Sequence, residues 1–166
     1  MVDRPEEGDR LEEAGRLFAT THWSLVRAAG GLESPETSSA LETLCRTYWY
    51  PVYAHVRFRG HNAEDARDLT QEFFARLLRN KAIGRADPNR GRFRSFILGS
   101  LKHVLCDAHD FAKAKKRGGD AIILSLDQEW AEDRFAHEAR DGNSPDVVFD
   151  RTWATALLER AANRLF

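Results

Sequence analysis

The side chains best suited to chemistry in this sequence are cations placed next to aromatic rings. Between residues 79 and 117 the chain carries eleven basic and three acidic residues, for a net charge of +8. Lysine and arginine neutralise phosphates, and aromatic rings can hold unstacked bases. The segment therefore predicts a nucleic-acid surface, with a solvated helix face as the alternative. Its candidate contact residues are Arg90, Arg92, Arg94, Lys102, His103, Lys113, Lys115, Lys116 and Arg117.

A second set of polar residues is acidic and amide-bearing. Ala66, Leu69 and Phe73 share one face at helical spacing, so their polar neighbours project elsewhere. An exposed acidic face next to Phe74 is suited to docking on another protein, and a solvated helix face is again the alternative. The polar residues of this set are Asp65, Asp68, Gln71, Glu72 and Arg76.

The motifs of common enzyme sites are missing from the sequence. It holds no phosphate-binding glycine-rich loop, no nucleophile elbow and no zinc-binding His-Glu-x-x-His helix. The candidate set for a metal-dependent nucleic-acid enzyme is His103, Cys106, Asp107 and His109. On a helix each residue turns the chain by about 100°, so His109 and His103 lie on different sides and the ligands do not converge. We therefore expect no enzyme activity, no metal and no cofactor.

The elements that position these residues are predicted to be helices, so the fold class is all-α: a compact helical bundle, an acidic linker and a C-terminal helix. Asn62 is the predicted N-cap of the helix that carries the acidic set, and a loop follows over Asn80–Arg92. A long helix is then predicted over Phe93–Phe111. Ser144 with Pro145 predicts the start of the last helix.

The helix that precedes the acidic set has weaker boundary signals. Ser38 or Ser39 is its predicted cap, and Gly60 is its predicted end. Pro51 lies inside the apolar pattern and removes a backbone donor. We therefore expect a kink or a break near Tyr50.

Length, charge and composition limit the kinds of protein that this chain can be. The chain has 166 residues with a net charge of −1, which suits one domain or one domain plus a fragment of another. No apolar stretch approaches the roughly 20 residues of a membrane span, and the two cysteines make no disulfide framework. The acidic N-terminus has no apolar signal core. We expect a soluble, cytoplasmic protein that contacts no membrane.

The charge is divided along the chain. Residues 118–150 carry nine acidic and two basic residues, for a net charge of −7 beside the basic segment. Together with the helical pattern, this predicts four units. They are a flexible acidic N-terminus over 1–16, a helical domain over 17–119, an acidic linker with some local helix over 120–143, and a C-terminal helix over 144–166.

Two stretches together resemble the second conserved region of bacterial RNA polymerase sigma factors, closest to the extracytoplasmic-function (ECF) class. These stretches are Asp65–Phe74 and Phe93–Asp107. The resemblance covers about residues 17–119, and the helix from Ser144 resembles the beginning of the fourth conserved region. Phrases typical of one ECF subgroup are also present at Phe18–Val26, Tyr48–Pro51 and Lys116–Gly119.

The resemblance implies a chain that binds core RNA polymerase and melts the promoter −10 element. The acidic set and Phe74 would dock on the clamp coiled coil of the largest polymerase subunit. The loop, with Arg85 and Asn89, would capture a flipped-out base, and the helix from Phe93 would face the non-template strand. Lys102 stands at a usually basic position, whereas His103 replaces a frequent asparagine of the family.

The resemblance also implies what this chain does not supply. The family has a C-terminal helix-turn-helix that reads the −35 element, and no such motif follows Ser144. Residues 144–166 are therefore expected to be the start of a truncated region-4-like unit. Phe96 replaces a frequent tryptophan of the family, while Asp107 is retained. The departures at Phe96 and His103 are expected to affect base preference more than activity.

One alternative function and one regulatory hypothesis stay open from the sequence. In the alternative, the chain is a protein-only interaction module whose acidic set binds a regulator, such as an anti-sigma factor, without DNA contact. In the hypothesis, the acidic residues of 120–146 cover the basic surface in the free chain, as an inhibitory pseudo-ligand.

Overall fold

Helices account for the regular structure of the chain. The computed structural model describes residues 23–107, 128–138 and 142–163, and these residues form six α-helices and no strand. The all-α prediction is therefore confirmed. The helices are α1 (residues 23–29), α2 (Pro35–Phe58), α3 (Ala63–Arg79), α4 (Phe93–Cys106), α5 (Gln128–Glu138) and α6 (Pro145–Ala162), with 3₁₀ turns at Ala82–Arg85 and Pro88–Arg90.

The start of α2 differs from the sequence prediction. Ser34 is the N-cap, and its Oγ accepts a hydrogen bond of 3.1 Å from the backbone N–H of Thr37. Pro35 takes the first helical position, where its missing N–H costs nothing. The predicted cap at Ser38 or Ser39 is wrong, because the helix begins at Pro35 and these residues lie about one turn inside it.

The second half of α2 forms the centre of the core. Every residue from 47 to 56 is buried, so this part of the helix is surrounded by other elements. The helix runs unbroken through Pro51, and the predicted break near Tyr50 does not occur. Packing on all sides offsets the backbone hydrogen bond that proline cannot donate.

The caps of α3 and α6 follow the sequence prediction. Asn62 Oδ1 accepts a hydrogen bond of 2.8 Å from the N–H of Asp65 at the start of α3. Ser144 Oγ accepts a longer one of 3.4 Å from the N–H of Val147 at the start of α6. The sequence signals are local in both cases, because a cap needs only a side-chain oxygen and the next turn.

The acidic helix α5 packs on α2. Ala131 is fully buried, and Glu132 forms a two-pronged ion pair with Arg57 of α2 at 2.8 and 2.9 Å. The Tyr53 hydroxyl also donates to Glu132, and the Arg57 guanidinium lies 4.2 Å from the centre of the Phe135 ring. The local helix expected within residues 120–143 is therefore fixed to the bundle by ionic and aromatic contacts.

The last helix, α6, packs along α2 as well. Val148 and Phe149 are fully buried, and the Phe149 ring stacks with Tyr48 of α2 at 6.4 Å between ring centres. The same ring meets His55 edge-on at 6.3 Å. These contacts make the apolar face of α6 part of the same core as α2.

Candidate nucleic-acid and protein interface

The polar residues of α3 lie at the protein surface and differ in exposure. Asp65 is exposed, while Asp68, Gln71 and Glu72 are half-buried along the same helix. Glu72 is paired within the helix with Arg76, at 2.8 Å from Oε1 to Nε. The structure therefore places the predicted acidic and amide set on the outer side of one amphipathic helix, with Asp65 in the first turn where the helix dipole favours acids.

Phe74 does not belong to this exposed set. Its side chain is only 2% exposed, and its ring meets Phe73 at 5.1 Å between centres. The prediction that Phe74 contacts a partner directly is therefore corrected to a supporting role. Sequence periodicity placed Phe74 beside the apolar face of α3, and the structure places it within that face.

The loop between α3 and α4 is held by its own short-range contacts. Ile83 is buried at 4% exposure and anchors the first 3₁₀ turn. The Arg85 guanidinium donates to the Asn80 carbonyl at 2.8 Å, and Asp87 Oδ1 accepts from the N–H of Asn89 at 2.9 Å. The loop thus has a defined shape although most of its side chains are exposed.

The loop presents cations at its far end. Asn89, Arg90 and Arg92 are all exposed, as is Arg85 in the first turn. Gly91 separates the two arginines with a φ of +126°, a backbone conformation that a side chain strains. The turn at this glycine therefore fixes where Arg90 and Arg92 leave the chain before α4 begins.

A close backbone contact ties the loop to α1. A Cβ atom placed on Gly30 would lie 2.9 Å from the Cα of Gly84, too close for any real side chain. Gly30 ends α1, and Gly84 lies in the first 3₁₀ turn of the loop. A Cβ atom on Gly84 would lie 3.3 Å from the Gly30 carbonyl oxygen, a tighter contact than usual but not a forbidden one. Gly30 is therefore the residue that this approach requires, and the contact sets the position of the loop against the bundle.

The aromatic residues at the start of α4 face the protein. Phe93 is 1% exposed and meets Tyr48 of α2 at 5.5 Å between ring centres. Phe96 is half-buried and stacks on Phe93 at 5.7 Å. Phe93 is thus a core residue, and it supports the helix rather than offering a ring to a base.

Two of the predicted contact residues on α4 are paired with α6. Lys102 Nζ lies 2.6 Å from Asp146 Oδ2, and Arg94 Nε lies 3.2 Å from Asp150 Oδ1. The Arg94 guanidinium also lies 4.8 Å from the centre of the Trp153 ring. The basic residues therefore divide into exposed ones in the loop and paired ones on α4.

His103 is the exposed member of the predicted set on α4, where it lies next to Lys102. Lys113, Lys115, Lys116 and Arg117 lie outside the described residues. His109, a member of the candidate metal set, lies outside them as well. Among residues 23–107, 128–138 and 142–163, no group of three or more His, Cys, Asp or Glu side chains could hold a metal ion.

A buried histidine lies beneath the pairs on α4 and α6. His55 of α2 is fully buried, and its Nδ1 lies 3.7 Å from Asp146 Oδ1. Burial lowers the pKa of His55 below its usual value, although the Asp146 carboxylate acts in the opposite direction. The imidazole is therefore neutral at pH 7 in the folded chain.

The lowered pKa of His55 predicts a loss of stability in mild acid. The unfolded chain takes up a proton near pH 6.5 while the folded chain does not, so the free energy of unfolding falls as the pH drops below about 6.5. One such proton changes that energy by at most about 1.4 kcal/mol per pH unit. Urea unfolding of the wild type and of His55→Gln between pH 7.5 and 5.5 checks this. The variant should show the flatter profile, and parallel profiles would contradict the assignment.

Comparison with known protein families agrees with this arrangement. Residues 44–115 match the family model of sigma-70 region 2. The chain contains a sigma-70 region 2. This region takes in the buried half of α2, all of α3, the loop and α4. Region 2 is the part of a sigma factor involved in core polymerase binding and promoter melting.

The other comparisons add nothing to the family assignment. Neither the curated proteins nor the solved structures gave a significant match. Within the described residues, no helix of this region 2 or of its flanking segments is long and apolar enough to cross a membrane.

Three residues of α6 contact the region 2 cations, and sequence reasoning paired none of them with a particular cation. Asp146 falls within the acidic segment 120–146 of the regulatory hypothesis, whereas Asp150 and Trp153 lie outside it. Asp146, Asp150 and Trp153 lie on α6, outside the stretch that matches the family. A signal was present, since residues four apart share a helix face and the two acids are four apart. What the sequence does not show is that this face of α6 meets α4.

Proposed function

We propose that the chain works in transcription initiation as the region 2 part of an ECF-class sigma factor. In this proposal α3 docks on the clamp coiled coil of the largest polymerase subunit, and the loop with α4 holds the non-template strand of the −10 element. The observation that carries the proposal is the direct passage from a helix with acidic residues at the surface into an exposed cationic loop. A polymerase bound to α3 thereby places the loop where promoter DNA can reach it.

The chemistry of α3 suits a basic protein partner. Glu72 is 22% exposed and Arg76 is 26% exposed, so their ion pair is half-buried with one side in contact with solvent. An ion pair between neighbouring turns of one helix is weak, and a cation of the partner can compete for the carboxylate from the solvent side. Gln71 adds amide donors and acceptors beside the acids, which favours a specific contact over simple charge attraction.

The chemistry of the loop suits an unpaired strand. Arg90 and Arg92 can each neutralise a phosphate, and Asn89 offers an amide to a base edge. Promoter melting requires that single-stranded DNA be held outside the duplex, which a cationic loop beside a rigid helix can do. Binding by these residues should weaken steeply with salt.

The test of the docking step is a pull-down of core RNA polymerase by this chain. Asp68→Arg and Glu72→Arg each place a like charge against a basic partner surface, so each should weaken polymerase binding about tenfold or more. Glu42→Arg is the matched control, because Glu42 also forms a 2.8 Å pair with an arginine four residues on, but on α2.

Three results of the pull-down can be told apart. Loss in the two α3 variants with retention in Glu42→Arg supports docking through α3. Equal binding by all four proteins would mean that polymerase binds a surface other than α3. Absence of binding by the wild type would refute the proposed function. Circular dichroism of each variant excludes loss of folding as the cause.

The pairing of Arg94 and Lys102 with α6 favours one second candidate. If these cations serve only to hold α6, the chain would be a protein-only interaction module that binds a regulator such as an anti-sigma factor through α3. The two candidates share the α3 surface and differ in the loop. Charge reversal in the loop therefore separates them.

A further inference from the structure

The two ion pairs between α4 and α6 form one continuous contact. Asp146 and Asp150 are four residues apart on α6, so their carboxylates lie on the same helix face. They meet Lys102 and Arg94, which lie two turns apart on α4. A pair of anions thus runs along the basic side of α4.

The groups that surround Arg94 are of the kind that a nucleotide would offer. Asp150 supplies an anionic oxygen at 3.2 Å from Arg94 Nε, as a phosphate would. Trp153 supplies an aromatic face at 4.8 Å from the guanidinium carbon, as an unstacked base would. Helix α6 therefore gives Arg94 both an ionic and an aromatic contact, the two kinds of contact that single-stranded DNA would offer.

The contact differs in kind from the ion pair on α3. There Glu72 pairs with Arg76 of the same helix, so the acidic face is neutralised locally and stays on the surface. On α4 the partners of the cations come from a helix about 50 residues further along the chain. The proposed polymerase face thus carries a pair within one helix, while part of the proposed DNA face is occupied by another element.

We propose that α6 is an internal competitor of single-stranded nucleic acid for Arg94 and Lys102. This inference rests on the proposed function, because it concerns the regulation of the same cationic surface. Nucleic acid reaches the exposed loop arginines freely but must displace Asp146 and Asp150 to use the cations of α4. The competitor is α6, which packs on α2, whereas the charge pattern alone assigned this role to the acidic residues of 120–146.

The strength of the competition follows from the exposure of the carboxylates. The side chains of Asp146 and Asp150 are 49% and 54% exposed, so each pair is partly solvated and individually weak. Phosphates can therefore replace them one at a time while the apolar face of α6 stays on α2. Removing both carboxylates should raise affinity for a single strand about tenfold at low salt.

The experiment measures binding of a fluorescein-labelled, A/T-rich single-stranded DNA 12-mer by anisotropy over a range of salt. The variant Asp146→Asn/Asp150→Asn keeps the side-chain shapes and removes two negative charges. The control Glu42→Gln/Asp133→Asn removes two negative charges from exposed residues of α2 and α5. Circular dichroism and thermal melting confirm that both proteins are folded.

The expected result has two parts. The α6 variant binds about tenfold more tightly at low salt, and its plot of log K against log salt is steeper by about 0.7 for each phosphate newly contacted. The control shows neither change. An equal gain in both variants would mean a general effect of net charge and would overturn the proposal, as would no gain in the α6 variant.

Failure of this inference and failure of the proposed function are distinguishable. An unchanged DNA affinity together with intact polymerase binding would refute the competition and leave the sigma factor proposal standing. A gain in DNA affinity without any polymerase binding would support the competition and refute the proposed function.

Discussion

Reversing the charge of the two exposed loop arginines is expected to abolish promoter-strand binding while polymerase binding stays intact. Arg90→Glu and Arg92→Glu each remove a cation and add an anion beside Gly91, the turn that aims both side chains outward. Each lost phosphate contact lowers the salt slope for a single strand by about 0.7, and the added carboxylate repels the remaining phosphates. The double variant should therefore lose single-strand binding and transcription from a cognate promoter.

The measurement combines single-strand binding, transcription with added core polymerase and the polymerase pull-down. Arg46→Glu is the control, because Arg46 is 70% exposed on α2 and lies outside the proposed DNA surface. It should leave all three readouts unchanged. Retention of DNA binding and transcription by Arg90→Glu/Arg92→Glu would count against the DNA role of the loop. If the wild type binds polymerase but no DNA, the protein-only module becomes the better account.

The elements that carry this surface were predictable because their signals are local. Asn62 caps α3 through a hydrogen bond to the next turn, and the glycines around Pro88 predict the loop from composition alone. The start of α2 was equally readable. Ser34-Pro35 is followed by an acid, which is the same signal that Ser144-Pro145 gives for α6.

The packing of α5 was not predictable from its composition. Its residues are mostly polar, which is typical of a solvated segment. Its place in the bundle depends on Ala131 in the core and on Glu132 beside Arg57, 75 residues earlier in the chain. A pair at that separation leaves no periodic signal, because periodicity records only which residues share a face within one helix.

The roles of Arg94 and Lys102 were obscured for the same reason. A count of charges along residues 79–117 treats all cations as equal. The structure separates Arg90 and Arg92, which are exposed, from Arg94 and Lys102, which meet the carboxylates of α6. Within residues 79–107, tertiary packing thus divides the basic segment into an open part and an occupied part.

The second large expected effect concerns the attachment of α6 to region 2. Phe149 is fully buried between Tyr48 and His55 of α2, with ring centres 6.4 and 6.3 Å away. Phe149→Ala should lower the free energy of unfolding by about 3 to 5 kcal/mol, because it removes a buried ring and leaves a cavity in the core. Urea unfolding followed by circular dichroism measures this loss.

The matched control on the same helix is Leu158→Ala. Leu158 is 64% exposed, so its truncation should change the free energy of unfolding by less than about 0.5 kcal/mol. A large effect of Phe149→Ala on the single unfolding transition would show that α6 unfolds together with α2 and belongs to the region 2 body. A small effect, or a separate early transition, would instead favour residues 144–166 as the start of an independent unit. Only in the first case is the face that holds Asp146 and Asp150 against α4 a fixed part of the domain.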